Sequence, residues 1–351
     1  MKIGFDAKRY FNNTTGLGNY SRWLIDNLAS IQNSSLLLYH PKEQQTQTKF
    51  QAKSPSGLWQ YLSSVWRMIG IKTDLKRDGI EIYHGLSNEL PFGIHKLEIK
   101  TVVTIHDLIN KRYPENYKWI DRLIYHYKLD YAQKNADIII TPSEATKQDI
   151  THFFNTDHDK IKVIPLSLPS IPEIKKPISN KEYILCVSSF NKRKNIARLV
   201  DAYLSINTET KLILAGARGD TSKLIEEKTA NQPNIEIMTN VSAEKLAELY
   251  SGSLFCIYPS LFEGFGIPIL EAFQHGKTVA TSDVSSMPEV GGDAAEYFNP
   301  LDTSSITRAI MNLLSEQHRQ AKESKVSSQL ARFESSELIK KYQEIYTSLI
   351  S

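Results

Sequence analysis

The run Leu254-Phe-Cys-Ile-Tyr258-Pro-Ser-Leu-Phe-Glu263-Gly-Phe-Gly266-Ile-Pro-Ile-Leu-Glu271-Ala-Phe273 joins an apolar segment, a glycine-bearing loop and a helical pattern with two carboxylates at fixed positions. Its first five residues are too few to span a membrane and too continuously apolar for a half-exposed strand, so they read as a central strand of a parallel sheet. Ligands gather at the carboxyl ends of such strands. Gly264 and Gly266 let a backbone pass close to a ligand, and Pro268 suits the first position of a helix. A helix starting there directs free N–H groups and the positive end of its dipole toward an anion. Glu271, one turn in, reaches back with a carboxylate able to accept two hydrogen bonds from vicinal hydroxyls. An anion beside a diol describes a nucleotide.

Glu263 and Glu271, with Gly-Phe-Gly-Ile-Pro-Ile-Leu between them, resemble the signature of the retaining family-4 glycosyltransferases of the GT-B fold. The resemblance implies that Glu271 binds the ribose hydroxyls of a nucleotide sugar and that Glu263 lies near the donor sugar. It also implies that the loop amides of Gly264, Phe265, Gly266 and Ile267 face the sugar and phosphates. The plainer reading, a solvated Glu263 and an exposed helical Glu271, requires strand, Gly-x-Gly, proline and both spacings to coincide by chance.

Around this centre, 351 residues exceed what one core usually supports, so two domains are expected. An apolar content of 41% fits a folded protein, and a net charge of +3 does not suggest a nucleic-acid binder. Cys186 and Cys256 lie inside apolar strand-like runs, which points to buried free thiols in a reducing compartment rather than a disulfide or metal framework. Met1-Lys-Ile-Gly-Phe-Asp6 moves straight into a strand, and no later run reaches membrane-spanning length, so a cytoplasmic protein is expected.

The first half repeats the pattern of strand, loop and helix. Lys2 to Ala7 reads as a strand, followed by Thr15-Gly-Leu-Gly-Asn-Tyr20 and a helix through Leu28. Gly16-x-Gly18 alone is explained by a plain turn, and it lacks the third glycine of the dinucleotide fingerprint. It also resembles the N-terminal loop of the same transferases, which borders the donor phosphates and the acceptor. Pro41 to Ser56 carries almost no large apolar residue and reads as an exposed loop. In Leu58 to Ile69, Trp59, Leu62, Trp66 and Ile69 fall at helical spacing, as expected of a helix packed on the domain. A second reading has that face touching a membrane surface or a lipid-linked acceptor; the stripe carries few cations, and the packed reading is preferred.

Thr101-Val-Val-Thr-Ile105 reads as a strand ending at His106-Asp107. A lone histidine after a strand is commonly structural, yet this one stands where ligands gather. The pair resembles the family's His-Asp, whose histidine contacts the donor sugar across the interdomain cleft, with Asp107 orienting its surroundings. A helix from about Tyr117 to Asn135 sets Ile120, Leu123, Ile124 and Tyr127 along one face. Ser143 ends the strand from Ala136 and suits the cap of the next helix, with Glu144 in its first turn. In the family a serine here lies at the cleft floor, and both readings stand. Asp157-His-Asp159 matches a metal motif of another transferase fold but sits in a polar loop, where a solvated turn explains it.

Residues 166–177 carry three prolines and read as the linker. Tyr183-Ile-Leu-Cys-Val187 then opens a second half, followed by Ser188-Ser-Phe-Asn-Lys-Arg-Lys-Asn195 and a helix bearing Ile196, Leu199, Val200 and Tyr203. Lys192, Arg193 and Lys194 between strand and helix suit a diphosphate. Arg193-Lys194-Asn195 matches the end of the family's Gly-x-x-x-x-Arg-Lys-Asn pattern, which implies that Lys194 binds phosphate. Ser188 stands where the family glycine does, which puts a close backbone approach there in question. Ser286-Met-Pro-Glu289 is also similar to the family, helices follow around Ile306 to Leu314 and Gln320 to Arg332, and Leu338, Tyr342, Ile345, Tyr346 and Leu349 make the final helix amphipathic.

The expected fold is α/β, with two Rossmann-like domains facing an interdomain cleft. Residues 1–170, completed by a last helix crossing back at about 335–351, form an acceptor domain; residues 171–334 form the nucleotide-sugar domain. The implied reaction is retaining, metal-independent and without a cofactor, and moves a hexose, first mannose from GDP-mannose, to a glycan or lipid-linked acceptor. A peripheral contact with the inner membrane is compatible with such an acceptor. Implied catalytic residues are His106, Glu263, Arg193 and Lys194. Gly16, Gly18, Ser188, Gly264, Phe265, Gly266, Ile267 and Glu271 join the two cations in donor binding, with Asp107 and Ser143 toward the acceptor. The alternatives are a sugar-nucleotide epimerase or phosphorylase of similar fold, and a non-catalytic nucleotide-sugar-binding subunit of a polysaccharide assembly complex.

Overall fold

A computed structural model of the chain describes residues 1–13, 15–29, 35–42, 49–168 and 183–351. The chain divides into two compact units, residues 1–167 with 335–351, and residues 168–334. Most of the expected linker, residues 169–177, lies outside the described residues.

The strands of the first unit are β1 (Lys2–Asp6), β2 (Ser35–Tyr39), β3 (Gln51–Lys53), β4 (Ile82–Gly85), β5 (Lys100–Thr104), β6 (Ile138–Thr141) and β7 (Ile161–Val163). Among the described residues they form one parallel sheet in the order β3-β2-β1-β4-β5-β6-β7. Both faces are covered, which is why these strands are continuously apolar. Successive residues alternate between two cores: Leu36, Leu38, Ile82, Val102 and Ile140 pack on one side, and Leu37, Tyr39, Tyr83, Val103 and Ile139 on the other.

The second unit holds β8 (Tyr183–Val187), β9 (Lys211–Ala215), β10 (Ile235–Met238), β11 (Phe255–Tyr258), β12 (Val279–Ser282) and β13 (Ala295–Phe298). Their order among the described residues is β10-β9-β8-β11-β12-β13, again parallel. The apolar run ending at Tyr258 is therefore an inner strand, flanked by β8 and β12. Cys186 and Cys256 are buried free thiols. No helix among the described residues is long and apolar enough to cross a membrane.

Four expectations need correction. Gln51–Lys53, inside the expected loop, pairs with β2 as an edge strand, held by its backbone while its side chains stay largely exposed; residues 43–48 of that stretch lie outside the described residues. The segment after it is broken into a short turn Gly57–Gln60, a helical turn Ser63–Val65, a wider π-type turn Trp66–Gly70 and a helix Ile71–Arg77. Only Trp66 of its expected apolar stripe is buried, its indole N–H donating to Asp74 at 2.7 Å, while Leu62 and Ile69 face out. The helix Trp119–Asn135 buries Leu129, Ala132 and Gln133 instead of the face carrying Ile120, Leu123, Ile124 and Tyr127. Beyond Thr303–Leu314, the single helix expected over 320–332 is two, Glu316–Glu323 and Val326–Leu330.

The last helix, Ser335–Ile350, belongs to the first unit and buries Leu338, Ile339, Tyr342 and Tyr346. A buried polar network fixes it. His84 bonds the Tyr346 hydroxyl at 2.7 Å and the Thr104 hydroxyl at 2.8 Å; Tyr20 joins Thr104 at 2.7 Å and Tyr342 at 3.0 Å. Such groups are costly to bury unless every one is satisfied, so the network specifies where the helix docks. Burial lowers His84 from 6.5 to about 3 and His106 to about 4. Both are neutral in the fold and take up a proton near pH 6.5 on unfolding. A histidine with a depressed pKa contributes stability that is present above its unfolded value and lost as the pH falls toward the folded one. Thermal melts should show stability dropping from pH 6.5 toward 4 by about 1.4 kcal/mol per pH unit for each histidine. His84→Gln should flatten the slope by one histidine's share; an unchanged slope would exclude His84 as a source of it.

Candidate functional site

In the second unit the basic segment follows β8 as a tight turn, Lys192–Lys194. Asn195 then takes a left-handed conformation at φ 59° before the helix Ile196–Leu204. The turn is positioned from two sides. Lys192 N–H donates to Asp220 at 2.8 Å, and the Asn195 amide donates to the Pro300 carbonyl at 2.8 Å. The backbone of Ser188 is approached closely by that of Gly216, where a Cβ would stand 1.8 Å from the Ser188 carbonyl oxygen. A glycine is thus required at 216, where β9 ends against the loop after β8. Ser188 itself is buried, and its hydroxyl has no partner among the described residues.

Glu263 follows β11 and meets this turn. Its Oε1 accepts from Arg193 and Lys194 at 2.6 Å, from the Tyr258 hydroxyl at 2.8 Å and from the Ser260 hydroxyl at 2.5 Å. No donor to Oε2 exists among the described residues. Burial alone would raise this carboxyl, but the charges of Lys194 and Arg193 overcome it and hold Glu263 at about 2. Burial also lowers Lys194, against the opposing pull of Glu263. The Gly264–Gly266 loop is tied down from behind. Ser285 and Ser286 donate to the Glu263 carbonyl at 2.6 and 2.9 Å, and Ser286 also donates to the Phe265 carbonyl at 2.7 Å. The Phe265 ring is turned inward against Phe333, 5.8 Å between centroids, so only its backbone can serve a ligand.

Gly266, at φ 114°, caps the helix Ile267–Gln274, with Pro268 second in it rather than first. A side chain would be strained at that φ. Glu271 lies in this helix, and its Oε2 accepts from the Tyr250 hydroxyl at 2.7 Å. Burial raises its pKa. Tyr250 in turn stacks on His275, 5.2 Å between rings. Glu263, the two cations, Ser188 and the loop thus stand at the carboxyl ends of β8 and β11, where an open sheet presents ligands, and Glu271 lies in the helix that leaves the loop.

The first unit places its own candidates at the corresponding edge. His106 follows β5; its ring is buried edge-on to Tyr20, centroids 4.8 Å apart, and its Nε2 donates to the Leu86 carbonyl at 2.9 Å. That carbonyl assigns the proton to Nε2 and leaves Nδ1 as an acceptor. Asp107 Oδ1 accepts from the Ile109 amide at 3.1 Å. Ser143 caps the helix Glu144–Phe154 through the Thr146 amide at 3.1 Å, and Thr146 reaches the His106 carbonyl at 3.3 Å. Gly18 lies in the first turn of the helix Gly16–Leu28, its amide donating to the Thr15 carbonyl at 2.9 Å, while Gly16, which starts the helix, has open space around it. Asp157 caps the turn His158–Lys160, the solvated turn expected there.

A cavity of about 210 Å³ in this unit is lined by Arg9, Asn88, Glu89, Asp107, Tyr125 and Lys128, with other residues. Beneath it the buried Arg67 pairs with Asp6 at 2.5 Å and with Glu89, which Lys128 also meets at 3.0 Å. The Arg9 Nε is buried and has no partner among the described residues. Arg67, Ser285 and Tyr250 escape a reading of the sequence, because each acts through a partner distant along the chain. Among the described residues no group of three or more His, Cys, Asp or Glu side chains is placed to hold a metal ion.

Residues 34–167 match the family described as Glycosyltransferase Family 4, and residues 169–329 the family Glycosyl transferases group 1. The chain is 31% identical to the O-antigen chain mannosyltransferase B of Escherichia coli over 350 residues, covering 90% of this chain and 91% of the relative. The fold is shared with a sucrose-phosphate synthase from Thermosynechococcus elongatus, at a TM-score of 0.80 and 17% identity over 100% of this chain and 99% of the other. It is shared too with the HepE protein of Anabaena, solved with UDP and glucose, at a TM-score of 0.74 and 15% identity over 99% of this chain and 100% of the other. These matches span both units, so the chain belongs to the family-4 glycosyltransferases of the GT-B fold, enzymes that move sugars from nucleotide donors.

Proposed function

We propose that the protein is a retaining mannosyltransferase that uses GDP-mannose to extend a surface polysaccharide carried on a lipid at the inner face of the membrane. The observation that carries the donor half is the four-donor clasp on Glu263 Oε1, which leaves the second oxygen for a sugar hydroxyl while fixing two cations beside it. Lys194 and Arg193 hold the diphosphate, and the amides of Phe265, Gly266 and Ile267 face the donor. Glu271, with one oxygen fixed by Tyr250, takes the ribose hydroxyls. Mannose as the sugar rests on the likeness to the mannosyltransferase of E. coli.

In the reaction the bond from the sugar C1 to the diphosphate oxygen breaks, and a new bond forms from C1 to the acceptor oxygen on the same face. The acceptor proton passes to the departing phosphate oxygen. Fixed cations stabilise the charge that grows there, as preorganised dipoles do in oxyanion sites, with no metal required. The first unit supplies the acceptor side. Its cavity, with Arg9 and Asn88 as donors, Asp107 as acceptor and Tyr125 as an aromatic wall, suits a sugar. His106, neutral at pH 7, contributes Nδ1 as a hydrogen-bond acceptor.

Titration calorimetry with GDP-mannose, UDP-glucose and NAD tests the donor directly. Tight binding of GDP-mannose and transfer of labelled mannose are expected; stabilisation by NAD and by no nucleotide sugar would sink the reading. Glu271→Ala should weaken GDP binding at least tenfold, the cost of about 1.4 kcal/mol expected for lost charge-assisted hydrogen bonds. His106→Ala should instead remove transfer while GDP still binds, and equal loss of binding in both variants would refute this division of labour. Glu263→Gln leaves two partly buried cations without their carboxylate and should cost about 3 kcal/mol of stability in denaturant melts. Added GDP should recover more of that loss in the variant than it adds to the natural chain.

A further inference from the structure

We propose that one face of the first unit is a docking surface for an anionic lipid bilayer. Among the described residues, twelve of the seventeen exposed large hydrophobic side chains lie in just two segments of this unit, residues 58–69 and 119–127. Leu58 is 84% exposed, Tyr61 86%, Trp119 67% and Tyr127 63%. Scattered exposed hydrophobics are ordinary, but such a concentration marks a surface that meets something.

The two segments are neighbours. The Phe92 amide donates to the Met68 carbonyl at 2.7 Å, and its ring lies 5.3 Å from that of Tyr127. From Trp119 to Lys128 the helix Trp119–Asn135 buries no residue, so most of its apolar side stays exposed. Cations flank this ridge on both sides. Lys72, Lys76, Arg77 and Lys96 line one groove with Gly93, next in chain to Phe92. Lys111 and Arg122 line a second recess of about 360 Å³ with Trp119 and Leu123.

Of these, Arg77 is paired with Asp74 and Asp78, whereas Lys72, Lys76, Lys96 and Arg122 have no carboxylate partner among the described residues. The carboxylates on the same segments are Asp74, Glu98, Glu115 and Asp121. The unit as a whole carries 24 Lys and Arg against 19 Asp and Glu, while the other unit is slightly acidic. Apolar and aromatic side chains set among unpaired cations are what a headgroup region accepts: the rings occupy the interface, and lysine stems lie along apolar surface with their charges at phosphate level. A second copy of the chain is a poor occupant, because a two-fold contact through this face would set its unpaired cations against their own equivalents.

Docking deepens the reading of a lipid-borne acceptor, yet it is measured without donor or acceptor, so the two stand or fall separately. The full chain is floated with vesicles of phosphatidylcholine alone and with added phosphatidylglycerol. It should rise with the anionic vesicles only, and release as salt is raised. Lys72→Glu with Lys96→Glu, and Leu62→Glu with Leu123→Glu, should each lower partition at least tenfold. Both variants should keep the natural melting temperature, GDP binding and transfer to a water-soluble acceptor. Absence of flotation with anionic vesicles would overturn the proposal, as would flotation unchanged in both double variants. So would sedimentation of a dimer that Leu62→Glu with Leu123→Glu dissociates, which would make the face an interface between copies.

Discussion

A single oxygen, Glu263 Oε1, accepts hydrogen bonds from a guanidinium, an ammonium and two hydroxyls, and the second unit is arranged so that they can meet. The carboxylate is largely withdrawn from water and stays charged because both cations are there; the cations are partly buried too, and each gains from it in turn. That mutual dependence fixes the order of the strands around it. Arg193 and Lys194 come from the loop after β8, and Tyr258, Ser260 and Glu263 from β11 and its loop, so β8 and β11 must lie side by side, as they do. The approach of Gly216 to Ser188 and the Asn195 bond to Pro300 hold the basic turn at the height of the carboxylate.

The first unit solves the matching problem with neutral groups. Its last helix returns from the far end of the sequence and is fixed by hydroxyls and one uncharged histidine rather than by an ion pair. The charged groups of that unit stand instead at the strand ends. There Asp6 and Glu89 hold the buried Arg67, and Lys128 extends the chain of charges to the cavity wall. The neutral lock specifies where the helix docks, and through Tyr20 it also packs against the His106 ring; the charged frame sets the field a polar ligand would meet.

What the sequence discloses follows the range of each interaction. The run from Leu254 to Phe273 is legible because its signals are local: five apolar residues, a glycine that tolerates φ 114°, and a proline in the first turn of a helix. Arg193 and Lys194 are legible for the same reason, being adjacent and placed between a strand and a helix. Their clasp on Glu263 is not, since it closes over some 70 residues and any of several acids could have filled it. Gly216 shows the same limit: the surface it must avoid is the backbone of a neighbouring strand end. The helix at 119–135 fails differently. An apolar stripe has the same period whether the fold covers it or leaves it outside, so Ile120 and Leu123 read as core and Leu129 and Ala132 took that place. The edge strand Gln51–Lys53 pairs through its backbone alone, and two polar side chains flanking an alanine carry no sign of it.

Sharing two cations with a resident carboxylate has a consequence for the proposed chemistry. Before a donor binds, Lys194 is weakened as a cation by burial, and Glu263 restores only part of what burial removes. A diphosphate placed beside it would add negative charge at the same side chain and favour the ammonium further. The effect grows as the sugar–phosphate bond lengthens, because the departing oxygen gains charge while the sugar loses it. Glu263 Oε1 is already bound to the two cations on which that negative charge would fall. A carboxylate held at about 2 remains ionised throughout, so it can face a sugar that is becoming positive without itself taking a proton. On the proposed chemistry such an arrangement would favour the transition state over the bound donor, which is the condition under which binding energy becomes rate.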